Sequence, residues 1–223
     1  MSSAISVSQF EKSLNNRFDG LFELRQRDLP EPFPTGIPEI DRLIGGGIPR
    51  ATLTEIRGGP SSGRTSLLIS VLAQSTSNGH FCALIDGSDT FDPVSAETAG
   101  VQLSQLLWVR CGGNTEDALK ATDLIVQAGG FGLVVIDLGD IPERQAGRIS
   151  LTSWFRLRHA AGHNGATLIV IERQFNASSC SKLQLELRRE RSWWSVKRLK
   201  GLVIEAHSHK RYNRRSASFR IAS

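Results

Sequence analysis

The stretch EIRGGPSSGRTS contains the residues best suited to chemistry. Gly58 and Gly63 enclose four residues and are followed by Arg64 and Thr65. Glycines at such positions let backbone N–H groups point inward around a phosphate, and the following helix adds its positive end. A hydroxyl at the position of Thr65 can bind magnesium. The spacing predicts a phosphate-binding loop, and the alternative is a Gly/Ser turn that binds no ligand.

A carboxylate at the end of an apolar run completes this predicted site. Asp137 closes the run LVVID, and a carboxylate placed there can hold magnesium together with the hydroxyl of the loop. Thr65 and Asp137 are therefore the predicted magnesium ligands. The residues predicted to bind a nucleotide are Gly58, Gly59, Pro60, Ser61, Ser62, Gly63, Arg64, Thr65 and Ser66.

Helices and strands alternate around these residues. The hydrophobic periodicity predicts helices over 37–44, 65–77, 94–99 and 115–128, and strands over 52–57, 81–86, 106–110 and 133–137. A further helix is expected within 138–166, before the apolar run LIVI. Runs such as LVVI and LIVI indicate strands buried on both faces. The predicted fold class is α/β, with a mostly parallel sheet flanked by helices and a ligand site at the carboxyl ends of its strands.

The C-terminal part follows a different pattern. Three short strands over 183–187, 202–206 and 217–221, joined by basic turns, predict an antiparallel β extension. Residues 182–223 carry 12 Lys or Arg against 3 Asp or Glu, whereas residues 1–181 carry 15 against 19. A surface with this charge suits phosphates or an acidic partner, although such a block is often simply a solvated face.

Paired tryptophans stand inside this basic segment. Aromatic rings stack on bases while cations meet phosphates, so the segment is a candidate for binding single-stranded DNA. The alternative is a surface hairpin whose tryptophans cover the core. His207 and His209 lie on one side of a strand, but no third metal ligand accompanies them. The candidate DNA-binding residues are Arg188, Arg189, Arg191, Trp193, Trp194, Lys197, Arg198, Lys200, Lys210, Arg211, Arg214 and Arg215.

An amphipathic helix is predicted near the N-terminus, because apolar residues recur at three- and four-residue spacing from about Ser8 to Arg27. Pro30, Pro32 and Pro34 are expected to exclude helix and ladder alike, so 29–34 is predicted to be an extended connector. The predicted organisation is an arm and connector over 1–34, followed by a core over 35–223. The helix either packs on its own core or docks on a partner, for instance as a homo-oligomer contact through residues 8–27.

Composition excludes several classes of protein. The apolar runs are far shorter than the roughly 18 to 20 residues needed to cross a bilayer, and residues 1–10 lack the pattern of a signal peptide. Cys82, Cys111 and Cys180 are an odd number of cysteines at wide spacing, which argues against disulfides and zinc. We therefore expect a cytoplasmic protein that does not act on a membrane.

The motifs occur in the order and spacing of the RecA recombinase family. The stretches that carry the resemblance are TGIPEIDRLIGGGIPRATLTEIRGGPSSGRTS, LIDGSDTFDP, GVQLSQLLWV and FGLVVIDLGD. From about Thr35 to Glu172 the chain resembles a RecA-type ATPase core, and the basic tail resembles the last strands of that core. The resemblance implies the RecA fold, an ATP site with magnesium at the loop, and a contact from Asp92 to the adenine amino group.

The sequence departs from the family pattern at four positions of this site. Arg64 replaces the phosphate-binding lysine, and its planar head cannot place a compact ammonium in the same spot. The catalytic glutamate of the family falls on Ser88, which is a poor base, and Asp89 is one position away. Ser95 replaces the tyrosine that stacks on adenine, and Arg173 stands at the γ-phosphate sensor. These departures imply weak or absent ATP binding and at most a weak ATPase.

The DNA-binding loops of the family are also shortened, since only 10 residues, 173–182, follow the strand that ends at Glu172. A reduced core with an arginine-rich end resembles the ImuA type of RecA-like accessory protein and, more distantly, the division inhibitor SulA. That resemblance implies a nucleoid-associated role in SOS mutagenesis and damage tolerance, with a translesion polymerase-like protein or a RecA recombinase as partner. The alternative is an active ATP-dependent DNA-repair ATPase or recombinase of RecA type.

Overall fold

The computed structural model describes residues 31–195, 198–210 and 213–222, except for the side chains at positions 198, 199, 210, 213, 214 and 222. The helix predicted over 8–27 lies outside these residues, as do Lys197 and Arg211. From Pro32 onward the described residues form one compact unit. Within them, no helix combines the length and apolar character that crossing a bilayer would require.

One eight-stranded sheet organises this unit. Its strands are β1 (Leu53–Gly58), β2 (Cys82–Asp86), β3 (Leu106–Arg110), β4 (Leu133–Asp137), β5 (Thr167–Glu172), β6 (Leu183–Ser195), β7 (Arg198–Lys210) and β8 (Asn213–Ala222). They lie in the order β3-β2-β4-β5-β1-β6-β7-β8. All neighbours from β3 to β6 are parallel, whereas β6, β7 and β8 pair antiparallel. The loop between β1 and the next helix therefore opens at the carboxyl edge of the parallel strands.

Helices cover both faces of the parallel part. They are α1 (Pro38–Ile44), α2 (Arg64–Ser77), α3 (Pro93–Thr98), α4 (Thr115–Ala128), α5 (Glu143–Ala146) and α6 (Leu151–Asn164). Leu67 and Leu72 of α2 belong to the apolar core on one face, and Trp154 and Leu157 of α6 belong to the core on the other. The strands β2 and β5 are buried along their whole length, as their apolar runs predict. The predicted α/β class with an antiparallel extension is confirmed.

The three C-terminal strands are longer than predicted. β6 and β7 have 13 residues each and β8 has 10, so most of the segment expected to be a basic turn is strand. The side chains of residues 188–195 are all exposed, so the sequence has no burial pattern there, yet their backbone continues the ladder with β7. An antiparallel pair can extend into solvent because its hydrogen bonds come from the backbone. The ladder shifts register between Arg189 and Arg191 and between Trp193 and Trp194.

Part of the predicted N-terminal connector also belongs to the core. Phe33 forms an antiparallel bridge with Ile48, with N–H to carbonyl distances of 2.9 and 2.7 Å. Its side chain is 2% exposed and packs in the core on the α2 face. The expectation that the prolines exclude all ladder pairing was wrong, because Pro32 and Pro34 flank Phe33 and leave its own N–H and carbonyl free to pair.

Candidate functional site

The loop between β1 and α2 is tightly folded. The N–H of Ser62 donates to the carbonyl of Gly59 at 3.2 Å, and Gly63 enters α2 through the left-handed region with φ 88°. A Cβ at Gly58 would collide with Ser62 and lie 2.8 Å from the carbonyl of Leu187, so this position requires glycine. The 14-residue helix α2 begins at Arg64 with no acidic residue in its first turn. Its N-terminal N–H groups and the helix dipole therefore favour an anion in the loop.

Two buried polar atoms of the loop, one on each of two side chains, have no hydrogen-bond partner among the described residues. Ser62 is 3% exposed and Arg64 is 8% exposed, yet the Oγ of Ser62 and the Nη1 of Arg64 are unpaired. A buried polar group without a partner costs about 1–3 kcal/mol. A bound oxyanion would accept from both donors, so this pair of side chains fits a phosphate group.

Arg64 directs its guanidinium to the end of β4. A Cβ at Gly139 would collide with the Nη1 of Arg64 and lie 3.0 Å from the Oδ1 of Asp137, so both groups border the same point. The N–H of Gly139 donates to that Oδ1 at 2.8 Å. Burial raises the pKa of Asp137 to about 6, while the Gly139 hydrogen bond and the charge of Arg64 oppose the rise. The Arg64 guanidinium thus supports the ionised form of Asp137.

The two predicted magnesium ligands differ in their surroundings. Thr65 is exposed in the first turn of α2, whereas Asp137 points one oxygen at the Gly139 N–H and borders the guanidinium of Arg64. Magnesium demands near-octahedral oxygen ligands, and a neighbouring guanidinium repels it. The guanidinium of Arg64 beside Asp137 therefore disfavours magnesium in this arrangement, and the assignment of Thr65 and Asp137 as its ligands stays a prediction. Elsewhere in the described ranges, no group of three or more His, Cys, Asp or Glu side chains is placed to hold a metal.

Asp140 links two arginines at the edge of this site. Its Oδ1 lies 3.4 Å from the Nη2 of Arg64 and 3.6 Å from the Nη2 of Arg173. The Nε of Arg173 also donates to the carbonyl of Gly139 at 3.0 Å. The Asp140 side chain is 48% exposed, so these long ion pairs are weak and a dissolved anion can compete with them. The two arginines that depart from the family pattern, at positions 64 and 173, thus share one carboxylate.

The loop after β2 is organised by Asp86, which is 1% exposed. Its carboxylate accepts from the N–H groups of Thr90 and Phe91 at 3.1 and 2.9 Å and from the Trp108 indole at 3.3 Å. Within this loop, the Oγ of Ser88 is buried and has no hydrogen-bond partner among the described residues. This hydroxyl is the group that the RecA resemblance places at the position of the catalytic glutamate.

Asp89 is held by the loop after β3. Its carboxylate accepts from Arg110 at 3.0 Å and from the N–H of Gly112 at 3.2 Å, and its own φ is 58°. These contacts commit both carboxylate oxygens at the outer end of β3. A water-activating role for Asp89 would require breaking an ion pair and a backbone hydrogen bond.

Asp92, which the resemblance places at the adenine, caps α3. Its carboxylate accepts from the N–H groups of Val94 and Ser95 at 3.2 and 3.3 Å and from the Ser95 hydroxyl. These hydrogen bonds lower the pKa of Asp92, and the Ser95 hydroxyl contributes most. Asp92 is exposed, and its contact with adenine stays a prediction.

An open groove of about 380 Å³ connects the phosphate-binding loop with β6. We call it the arginine groove. Arg57, Arg173, Arg188 and Arg189 contribute four guanidinium groups to its lining, against the single carboxylate of Glu186 among the described residues. The remaining lining residues are Gly58, Gly59, Pro60, Ser62 and Leu187. The basic tail therefore begins beside the phosphate-binding loop.

Glu186, which lines the arginine groove, contacts three basic side chains. It accepts from Arg57 at 2.9 Å and from Arg188 at 2.8 Å, and it lies 3.0 Å from the Nε2 of His209. Burial alone would raise the pKa of Glu186, but these three partners lower it to about 2. The guanidinium of Arg57 also stacks on the ring of Phe175 at 4.2 Å. The sequence did not single out Arg57, because its partners Phe175 and Glu186 both lie more than 100 residues away along the chain.

The candidate DNA-binding residues that the structure describes lie on β6, β7 and β8. Trp193 packs over Gly201, where a Cβ would collide with its ring, and remains 38% exposed. Trp194 is 62% exposed. Its ring therefore remains accessible for stacking. The described basic members that are exposed are Arg188, Arg189, Arg191, Lys200 and Arg215.

Two carboxylates are buried under the loop that follows β5. Glu172 is 2% exposed, accepts from the Asn176 amide, and has an Oε1 without a partner among the described residues. Glu55, on the adjacent β1, accepts from the side chains of Ser181 and Gln184 at 3.1 and 3.2 Å. Burial raises the pKa of both groups, that of Glu172 to about 8. Folding therefore makes Glu172 retain a proton near neutral pH.

We expect Glu172→Gln to flatten the pH dependence of stability. The pKa of Glu172 rises from 4.5 to about 8, so its contribution is fully present below about pH 4.5 and is lost as pH rises towards 8. Relative to pH 5, the wild-type chain should lose on the order of a few kcal/mol more than the variant at pH 8. Urea unfolding at the two pH values measures this difference. Glu143→Gln, at an exposed carboxylate, is the control, and an equal pH response in wild type and Glu172→Gln would contradict the prediction.

A strand, a tightly folded glycine-containing loop and a helix with free N–H groups, set at the carboxyl edge of a parallel sheet, define a P-loop protein. A protein-family model described as the RecA N-terminal domain matches residues 4–141. The chain therefore belongs to the RecA family, as its motifs predict.

Two known proteins illustrate this relationship. Protein RecA of Methylococcus capsulatus is 39% identical over 137 residues, which cover 59% of this chain and 38% of that protein. The chain thus spans less than half the length of that relative. The crystal structure of the RadB recombinase matches with a TM-score of 0.64 over 85% of this chain and 96% of that chain, at 21% identity. At 21% identity the match supports a shared fold, and this fold agrees with the predicted RecA-type architecture.

Proposed function

We propose that the chain is a RecA-like accessory protein of DNA repair and damage tolerance, of the ImuA type, that acts by binding partners and DNA. In this proposal the nucleotide site is degenerate, and ATP binds weakly and is hydrolysed slowly or not at all. The observation that carries it is the placement of Arg64, whose guanidinium lies against Gly139 beside Asp137.

The chemistry of hydrolysis supports the same conclusion. A general base typically contributes 10²–10⁴ to a rate, and the side chain at the family's base position is the Ser88 hydroxyl. The nearest substitute in sequence, Asp89, is tied to Arg110 and Gly112. The side chain at position 88 is therefore unsuited to activate the attacking water, which is the role that the family resemblance assigns to this position.

DNA binding is proposed for the arginine groove and the exposed face of the hairpin. Arg188 and Arg189 line the groove, and the exposed Arg191 and Trp194 follow them along β6 towards its tip. Guanidinium groups that meet phosphates and an exposed indole that stacks on a base are the pattern of sequence-independent single-strand binding. A strand of DNA along this surface would pass the mouth of the phosphate-binding loop.

The proposed partners are proteins of the SOS response, either a translesion polymerase-like protein or a RecA recombinase, and the proposed location is the nucleoid in the cytoplasm. Within the N-terminal segment 1–34, the helix predicted over 8–27 is the proposed docking arm and the rest is the connector, of which Phe33 packs in the core. Residues 35–223 are the proposed RecA-like core with its basic β segment. A second candidate is an active ATP-dependent DNA-repair ATPase or recombinase. It is favoured by the loop geometry at Gly58 and Gly63, which retains the form needed for phosphate.

Removing residues 1–29 tests the proposed arm. We expect the truncated chain to keep a cooperative melt and to lose self-association, measured by light scattering, and capture of a purified translesion polymerase or RecA, measured by pull-down. Replacing two apolar residues of the arm, Phe10→Asp with Phe18→Asp, should give the same loss without shortening the chain. A truncated chain that becomes insoluble, while the full-length chain is monomeric, would show that the segment packs on its own core.

A further inference from the structure

We propose that the guanidinium of Arg64 takes the place of magnesium at Asp137, so that phosphate groups bind this loop without a divalent cation. The inference rests on the proposed nucleotide site and concerns its metal dependence. It assigns Arg64 a role different from that of the lysine it replaces: a fixed cation beside the strand-end carboxylate as well as a donor to phosphate.

The position of the Arg64 side chain is the first support. The side chain is 9% exposed, and its Nη1 lies against Gly139 in the space next to the Oδ1 of Asp137. Gly139 tolerates this approach because it has no Cβ, which would collide with Nη1. A lysine could not fill the same space, since its single ammonium lacks the planar fork of a guanidinium.

The hydrogen-bond inventory is the second support. Nη1 of Arg64 has no acceptor among the described residues, and Nη2 has only the long contact of 3.4 Å to Asp140. The Oγ of Ser62, also buried, is unpaired as well. These donors and the first turn of α2 surround the same loop, so a phosphate can be satisfied entirely by groups of the chain.

The distribution of charge is the third support. Asp137 and Asp140 are balanced by Arg64 and Arg173, so the carboxylates that would attract magnesium already have cationic neighbours. A divalent ion entering beside Arg64 would meet like-charge repulsion at short range. An incoming phosphate instead replaces Asp140 as the anion between the two arginines. Asp140 is thus a resident counter-ion that the ligand displaces.

The test is calorimetric titration of the full chain with ADP, once in magnesium buffer and once in EDTA. We expect the dissociation constants of the wild-type chain to agree within about twofold. Arg64→Lys should bind ADP at least tenfold more tightly in magnesium than in EDTA, because the shorter cation leaves Asp137 open to the metal. Arg42→Lys, an identical change on the exposed side of α1, should behave like the wild type.

Asp140→Asn provides a second variant at an exposed position that does not threaten folding. Removing the resident anion should tighten ADP binding severalfold in both buffers. Wild-type binding that disappears in EDTA, or Asp140→Asn that binds ADP more weakly, would overturn the magnesium substitution while leaving the nucleotide site in place. A folded chain that binds no ADP in either buffer would overturn the nucleotide site itself, and this inference with it.

Discussion

Replacing Arg188, Arg189 and Arg191 together with alanine is expected to weaken binding to single-stranded DNA at least tenfold at ~50 mM salt, where electrostatic contacts are least screened. Each phosphate contact on a single strand adds about 0.7 to the slope of log affinity against log salt, so the triple variant should lose about 2 from that slope. Fluorescence anisotropy with a labelled oligonucleotide over a salt series measures both quantities.

A matched variant distinguishes this surface from net charge alone. Lys120, Arg156 and Arg158 are exposed on α4 and α6, on the other side of the sheet from α2, and their joint replacement removes the same three charges. The affinity for single-stranded DNA and the slope of log affinity against log salt should change little in that control. If both triple variants lose affinity equally, DNA binding depends on the net charge of the chain, and the arginine groove is not the DNA-binding site. If the wild-type chain shows no binding at ~50 mM salt, the basic surface is structural or serves an acidic protein partner, and the proposal of DNA binding fails.

Introducing a base is expected to have the second large effect. In the Arg64→Lys background, Ser88→Glu should raise ATP hydrolysis by about a hundredfold or more over the wild-type chain, since a positioned general base is worth 10²–10⁴. Arg64→Lys alone should give a smaller increase, because the lysine repairs phosphate contact but activates no water. Steady-state release of phosphate measures all three chains.

Ser88→Gln in the same background is the control, since glutamine matches glutamate in length and is not a base. A rise of equal size with glutamine and glutamate would mean that the side chain acts by filling space, which contradicts the assignment of a missing base. Asp89→Asn should leave hydrolysis unchanged in every background, because Asp89 is committed to Arg110 and Gly112.

The local parts of the site could be predicted from sequence because their signals are local. The spacing of Gly58 and Gly63 specifies a turn that the structure explains by a close approach and a positive φ. Apolar runs such as Leu133–Ile136 identify buried strands, and Asp137 follows as the polar end of one of them. The position of the loop at the carboxyl edge then follows from parallel pairing.

The long-range ion pairs around the site could not be predicted in the same way. Arg64 and Asp140 are 76 residues apart, and Arg57 and Glu186 are 129 apart, so neither pair leaves a periodic pattern. The length of β6 was missed because residues 188–195 are exposed and are held by backbone pairing with β7. Phe33 was assigned to the connector because its neighbours are prolines, although its own backbone groups remain free to pair.

We propose above that this RecA-type core has lost efficient ATP turnover. The turnover number of the purified wild-type chain at saturating ATP, with single-stranded DNA present, tests this proposal. The arrangement of Arg64, Ser88 and Asp89 predicts a value well below ~1 per second, the lower end of ordinary enzymes. Turnover at or above that rate would contradict the account and would favour a working DNA-repair ATPase.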